Sequence, residues 1–284
     1  MKTRLLLCAG LFAASSAHAS ALYFYEAGTE DTALAGAGQA ARAQDASTIM
    51  TNPAGMTRLP DHMVTGGLQV MDGSIDNQLD NDAHQNPGDV MKTIPNASAF
   101  YSQKVTDNLY AGVGLYGNYG LGIDYGSWAG DRLIKKSTLV AMTLSPSLAY
   151  KLNDRLSIGA SANVNYGYFS LTRNVNDNDY RQHDEDWAMS YRLGLLMQLT
   201  DQMRAGITWN SETNYRYSVD GKARMQNGAY DLPVSAQISA PQQIMLSLVH
   251  DINPRWSVMG DLGWQDWSQF GAPQIVVGDK QLNN

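Results

Sequence analysis

The sequence predicts an all-β protein, a transmembrane antiparallel β-barrel with a plug at its N-terminus. Three observations predict it: an export signal, a turn motif that recurs at near-even spacing, and long strands that alternate apolar with polar residues. Lys2 and Arg4 give a short basic start, followed by an apolar run from Leu5 to Ala14 and the small-x-small pattern Ala17-His18-Ala19. The run is too short to span a bilayer, which takes about 20 apolar residues. Cleavage after Ala19 is therefore expected. It would remove Cys8, the single cysteine, leaving neither an internal disulfide nor a thiolate metal site. It would also remove two positive charges, taking the formal charge from −7 to −9, which disfavours a nucleic-acid partner. No later stretch approaches 18 consecutive apolar residues, so no transmembrane helix is expected. A content of 15 Tyr, 6 Trp and 26 Gly suits a barrel instead, where aromatic girdles flank an apolar band.

The turn motif appears four times, as Lys104-Val-Thr-Asp-Asn, Lys151-Leu-Asn-Asp-Arg, Gln198-Leu-Thr-Asp-Gln and Asp251-Ile-Asn-Pro-Arg. The starts lie 47, 47 and 53 residues apart, the length of two strands and one longer loop. Thr or Asn followed by Asp or Pro is turn chemistry.

The flanks of these turns alternate with period two. Leu156, Ile158, Ala160, Ala162, Val164, Tyr166 and Tyr168 share one face, with Ser157, Ser161, Asn163 and Asn165 on the other. Met203, Ala205, Ile207, Trp209, Tyr215 and Tyr217 oppose Arg204, Gly206, Thr208, Asn210 and Arg216. Trp187 to Leu199 and Trp256 to Trp264 carry similar apolar rows. Such runs exceed both the five or six residues of a typical soluble strand and the roughly 9 to 11 that cross a bilayer. The polar faces suit a wet lumen, since arginine facing lipid is costly. A soluble β-sandwich is the alternative.

Nine strands are expected, near residues 62–71, 97–104, 108–117, 137–151, 155–172, 187–199, 203–219, 236–250 and 255–267. Longer polar connections near 72–96, 118–137, 173–186 and 220–233 are expected to face outward, and the short turns to face the periplasm. Nine is odd for an outer-membrane barrel, and an open edge in lipid leaves backbone groups unpaired. The chain therefore reads as a partial barrel divided into a signal (1–19), a hatch (20–60) and wall strands (61–284). The hatch follows from composition: residues 28–47 are rich in Ala and Gly, which pack tightly inside a lumen, and Pro53 fixes a bend before the first strand.

The chemistry-bearing clusters do not form a recognisable catalytic or metal site. His183-Asp184-Glu185-Asp186 could hold a weak surface cation, but adjacent side chains rarely converge, and the run reads as a solvated loop. His62, His84, His183 and His250 have no nucleophile motif nearby, so no enzyme and no cofactor is expected. Gly112, Gly114, Gly117, Gly120 and Gly122 are more telling, because glycine inside a strand marks a bulge or a close backbone approach.

Three segments resemble the FadL family of fatty-acid and hydrocarbon uptake channels. Tyr25-Glu-Ala-Gly through Ala35-Gly-Ala-Gly to Asn52-Pro53-Ala54-Gly55-Met56 is similar to that family's N-terminal hatch. Gly117-Asn-Tyr-Gly120-Leu-Gly, leading to Tyr125 and Trp128, is similar to its third strand and following loop. Pro241-Gln-Gln with Trp256, Asp261, Trp264 and Trp267-Ser268 is similar to a later strand pair. The resemblance implies a 14-stranded barrel, of which about nine strands are present here. It implies that Asn52, Pro53 and Ala54 form a hatch motif, and that Gly112, Gly114 and Gly117 bend the third strand inward beside a lateral gap. It further implies that Arg173, in Phe169-Ser170-Leu171-Thr172-Arg173, faces the carboxylate of a bound fatty acid. By parity Arg173 shares a face with Ser157, Ser161, Asn163 and Asn165.

The function so implied is passive uptake of hydrophobic molecules across the outer membrane. Ligand enters through the outer loops, occupies an apolar pocket above the hatch, and leaves sideways into the bilayer. Long-chain fatty acids are the expected ligands, with aromatic hydrocarbons the alternative. Outer-membrane lipid and lipopolysaccharide are the expected surroundings, and a monomer the expected form. A general porin for polar solutes is the first rival, against which the hatch argues. An adhesin is the second, and it would need larger outer loops.

Overall fold

The computed structural model describes residues 27–77, 87–132, 134–225, 228–269, 275–277 and 280–282. The expected signal, residues 1–19, lies outside them, as does part of the first long connection, 78–86. Two short helices, α1 (Thr29–Ala33) and α2 (Thr48–Thr51), and a 3-10 helix at Pro53–Arg58 precede the sheet. The strands follow as β1 (His62–Met71), the two-residue β2 (Asp76–Asn77) and β3 (Gly88–Asp89), β4 (Ile94–Lys104), β5 (Leu109–Asp124) and β6 (Lys136–Lys151). Next come β7 (Leu156–Val175), β8 (Asn178–Thr200), β9 (Met203–Asn210), β10 (Thr213–Met225), β11 (Gly228–Ala240), β12 (Gln243–Asn253) and β13 (Trp256–Gln265). Two short strands, β14 (Ile275–Val277) and β15 (Lys280–Leu282), come last.

Nine of these form one antiparallel sheet, in the order β1-β4-β5-β6-β7-β8-β9-β12-β13, with β1 and β13 at its edges. This is the number of wall strands that the sequence predicts, and each sits beside its chain neighbour. The recurrent turns explain the connections. Asn153 Oδ1 accepts from the backbone N–H of Arg155 and Leu156, each at 2.9 Å, and Asn253 does the same for Arg255 and Trp256 at 2.9 and 3.1 Å. Thr106 Oγ1 accepts from Leu109 at 3.0 Å. The third residue of the motif thus closes these turns with its own side chain.

The sheet is inside out relative to a soluble fold. Val64, Leu68, Trp187, Leu193 and Leu262 are each more than half exposed, whereas Ser145, Ser161, Asn163 and Asn165 are buried. Apolar side chains outward and hydroxyl or amide side chains inward is the pattern of a wall in lipid. β6, β7 and β8, at 16, 20 and 23 residues, exceed the roughly 9 to 11 residues needed to cross it. Among the described residues, no helix is long and apolar enough to cross a membrane.

Three expected boundaries are corrected. Residues 173–186 are not a loop: β7 and β8 stay paired to Val175↔Asn178, joined through Asn176 and Asp177 at φ 53° and 62°. A two-residue turn with both central residues left-handed matches the twist of a hairpin, and Asn and Asp tolerate that conformation. Residues 220–233 likewise belong to the β10–β11 hairpin, paired to Met225↔Gly228. Beyond the bilayer both faces of a ladder meet water, so alternation disappears from the sequence while pairing continues. Third, the expected strand 203–219 breaks at Ser211–Glu212, opposite a break at Pro241–Gln242. Proline has no N–H for the ladder. Across this joint the faces invert. Ile207 is exposed on β9, but Tyr215 and Tyr217 on β10 are buried against Tyr119, Ala141 and Phe169. Arg216, assigned to the lumen by simple parity, is exposed, while Arg204 keeps the inner side.

Candidate functional site: a plugged lumen and a gap in its wall

The N-terminal segment fills the sheet's concave side and bonds to strands across its whole width. Ala46 N–H reaches Thr65 Oγ1 on β1 at 3.2 Å, and Ser98 Oγ on β4 donates to Ala27 O at 2.5 Å. Thr57 Oγ1 donates to Ser157 Oγ on β7 at 2.7 Å. Arg204 on β9 donates to Ala41 O and Arg42 O, both at 3.1 Å. Ala40 N–H reaches Ser247 Oγ on β12 at 2.9 Å, and Gly38 N–H reaches Asp261 Oδ2 on β13 at 2.8 Å. Inside the hatch Asp31 and Arg42 form a buried ion pair.

Asn52, Pro53 and Ala54 sit at the centre of this contact. Asn52 Oδ1 accepts from Ala54 N–H at 3.1 Å, capping the 3-10 helix, with Pro53 at its first position. Asn52 Nδ2 donates to Ala40 O at 2.6 Å and to Leu195 O of β8 at 3.0 Å. The motif therefore fixes the hatch's own turn and ties it to the wall at once.

The wall receives the hatch through glycines that the sequence reading passed over. A Cβ on Gly159 would lie 2.3 Å from Ala54 N, one on Gly194 2.1 Å from Asn52 Oδ1, and one on Gly206 1.8 Å from Ala40 O. Gly159 and Gly194 are cross-strand partners, so they open one shared seat. The signal was available: these are lumen-side glycines inside strands, where glycine is unfavourable unless a backbone comes close. Gly112 and Gly114 belong to the same seat. Added Cβ atoms there would meet Ile49 at 2.7 and 3.2 Å, and both residues lie in regularly paired ladder. The register irregularity of β5 lies further along, at Gly117.

At Gly117 the strand is irregular. The β5–β6 register shifts between Gly117 and Tyr119, leaving Asn118 as a bulge. Residues 116–120 are all buried, so this stretch has no outward face. On the opposite edge the β4–β5 ladder ends at Ser98↔Tyr116 and resumes only with Lys92 N–H to Gly122 O at 3.0 Å. Between these points Asn96 Nδ2 to Gly117 O, at 3.4 Å, bridges the strands through a side chain. The β4–β5 backbone ladder is interrupted there.

A pocket that opens to solvent lies between the hatch and this bulge. Met50 and Thr51 of the hatch border it, with Tyr116, Asn118 and Tyr119 from β5. The remaining lining is mostly hydroxyl and amide, including Thr143, Asn163, Asn165, Ser190, Thr208, Asn210 and Gln243, with Arg192 and Met245. The expected apolar pocket thus has a mixed wall, in which hydroxyl and amide groups alternate with Met50, Tyr116, Tyr119 and Met245. The apolar surface stands against it, where Tyr119 meets Tyr215 edge-on at 6.2 Å and Tyr217 packs with Phe169 at 5.5 Å.

Arg173 is not among the residues lining this pocket. It pairs across the ladder with Tyr180, three residues before the left-handed Asn176 at the hairpin tip, and its guanidinium stands 5.5 Å from that ring. The acidic run has a different use. Asp184 and Asp186 accept from the backbone N–H groups of Ser218 and Arg216 at 2.6 and 2.7 Å, fastening β10 to β8, while His183 and Glu185 occupy the other face.

Comparison with known proteins fits this arrangement. The chain is 24% identical to a putative outer membrane protein of Neisseria meningitidis serogroup B, over 97% of this chain and 70% of that one. It is 22% identical to the long-chain fatty acid transport protein of Escherichia coli O6:H1, over 82% of this chain and 63% of that one. A crystal structure of a Pseudomonas aeruginosa FadL homologue superposes with a TM-score of 0.74 at 14% identity, covering 92% of this chain and 73% of its own. The family described as outer membrane protein transport protein (OMPP1/FadL/TodX) matches residues 10–281, so this outer-membrane chain belongs to that family.

Proposed function

We propose that the protein is a passive outer-membrane channel that takes up hydrophobic and amphiphilic molecules and releases them sideways into the bilayer. The observation that carries this reading is the interrupted β4–β5 ladder, which adjoins the lumen pocket at Asn118 and Tyr119. A hatch bonded to strands from β1 to β13 supports a lateral exit over an axial one, because the axial path is filled. Unpaired backbone groups in a wall strand are costly, so a break in the ladder needs a use. Among the described residues no lumen side chains gather a nucleophile with a base, and the reading involves no turnover chemistry. Long-chain fatty acids are the proposed ligands, as the name of the Escherichia coli relative suggests. Aromatic hydrocarbons are the second reading, supported by the aromatic cluster of Tyr119, Tyr215, Tyr217 and Phe169. The wall glycines and the Asn52 cap support the hatch role of residues up to the start of β1 at His62.

The gap is tested by closing it. Cysteines at Asn96 and Gly117 should crosslink across the interruption and lower cellular uptake of labelled octadecanoate several-fold, with recovery on reduction. Cysteines at Tyr101 and Val113, partners in the intact ladder, should crosslink without affecting uptake. Unchanged uptake in a fully crosslinked Asn96–Gly117 protein would eliminate the lateral route.

A further inference from the structure

Within that uptake reading, on which this inference rests, we infer that the lumen pocket selects an oxygenated carboxylic acid, a carboxylate carrying a hydroxyl close to it, over a plain alkyl chain or a neutral hydrocarbon. Two groups in the pocket carry the inference. Arg192 of β8 is 8% exposed, and its three partners are all neutral. Nε donates to Asn210 Oδ1 at 2.5 Å, and Nη1 donates to Ile49 O and Tyr116 Oη, both at 3.2 Å. Among the described residues it forms no ion pair, Nη2 has no protein partner, and neither Asp nor Glu lines the pocket. A buried cation without a counterion is costly, and folded proteins ordinarily supply one. A guanidinium held rigidly by three neutral acceptors, with one edge unused, suits an incoming carboxylate.

Asn118 is the second group. It is also 8% exposed and lines the same pocket, and its buried Oδ1 accepts no hydrogen bond among the described residues. Such orphans are rare in buried positions, and a hydroxyl of a ligand in the pocket would satisfy this one. Tyr116, which touches Arg192, precedes Asn118 by two residues, about 7 Å along a strand. The carboxylate site and the orphan acceptor are therefore within reach of one head group bearing a hydroxyl near its acid. A plain methylene chain would cover Asn118 Oδ1 and the surrounding amides without replacing the hydrogen bonds that water gives them. The ligand's apolar part has a separate place, toward the aromatic cluster that Tyr119 shares with Tyr215 and Tyr217.

The experiment measures equilibrium binding of decanoate, 3-hydroxydecanoate and decanol to protein purified from outer membranes, alongside uptake of the labelled acids by cells. The wild-type protein should bind 3-hydroxydecanoate about 5- to 10-fold more tightly than decanoate, the worth of one added hydrogen bond. Asn118→Ala should collapse that ratio to unity. Arg192→Met should weaken both acids by roughly 10- to 150-fold against decanol, and Arg192→Lys should recover part of the loss. Equal binding of the two acids to wild-type protein would overturn the inference. So would equal losses for the acids and decanol in Arg192→Met, because Arg192 would then only support the hatch through Ile49. Preserved selectivity in binding with no cellular uptake of either acid would instead sink the uptake reading and leave the pocket's preference standing.

Discussion

A missing methyl group decides how the hatch is held. Gly159, Gly194 and Gly206 each leave the space of one Cβ, and hatch backbone or the Asn52 side chain occupies it. Gly206→Val should cost about 1–3 kcal/mol of strain, relieved by displacing the hatch around Ala40 rather than by breaking the wall. Liposomes carrying this variant should swell in small sugars where wild-type liposomes do not. Gly260→Ala, which meets no atom within 4 Å, should behave as wild type. A tight Gly206→Val channel would show that the plug does not depend on this seat. Asp31 adds a pH dependence. Burial outweighs the pull of Arg42 and pushes its carboxyl up to about 6, from an ordinary value of 3.8. The docked hatch thus binds the proton more tightly than the undocked chain. Its docking strengthens as pH falls from about 6 toward 4 and carries the full penalty above 6, on the order of 2–3 kcal/mol. Hydrogen exchange across α1, corrected for intrinsic rate, should slow between pH 7 and pH 5, and Asp31→Asn should flatten the response. A flat wild-type profile would refute the linkage.

At the scale of elements, the recurring turns and the alternation place the nine wall strands, because in lipid each outward residue must be apolar and each inward one wet. The same rule loses the upper parts of the strands. β7 and β8 run on through Arg173 to Asp186 as paired ladder in water, where no face is selected, so polar residues there resemble a loop. The β10–β11 hairpin shows a second loss. Two breaks at one level, Ser211–Glu212 and Pro241–Gln242, invert the faces, and no period-two count carried through them keeps the right side. Asp184 and Asp186 then fasten the hairpin by accepting from the backbone of β10. Replacing both by alanine should remove two charge-assisted bonds, each worth about 1.5–3 kcal/mol before discount for partial exposure. Amide exchange in residues 213–218 should accelerate at least tenfold, with β7 and the lower part of β8 unchanged. Equal exchange in the two proteins would mean that the packing of Tyr215 and Tyr217 suffices.

For the whole molecule, the sheet and the hatch form one object. The sheet alone presents a polar concave face of Ser, Thr and Asn, and the hatch alone is too poor in large apolar residues to build a core. Together they leave a pocket of mixed polarity, floored by Met50 and Thr51, beside the interrupted β4–β5 ladder. The sequence by itself determined the class, the number of wall strands, their order and the presence of a plug, because lipid imposes period two and turns impose local side-chain chemistry. Its resemblance to the family drew attention to Asn52, Pro53 and Gly117, which the structure places at the helix cap and at the β5 bulge. Only the tertiary structure decided which glycines receive the hatch, which arginine lines the pocket beside it, and where the β4–β5 ladder breaks. Those properties join residues as distant in sequence as Ala40 with Gly206 and Ile49 with Arg192. Close approach and burial of charge depend on which strands face which part of the plug, and that is settled only when the sheet curls around it.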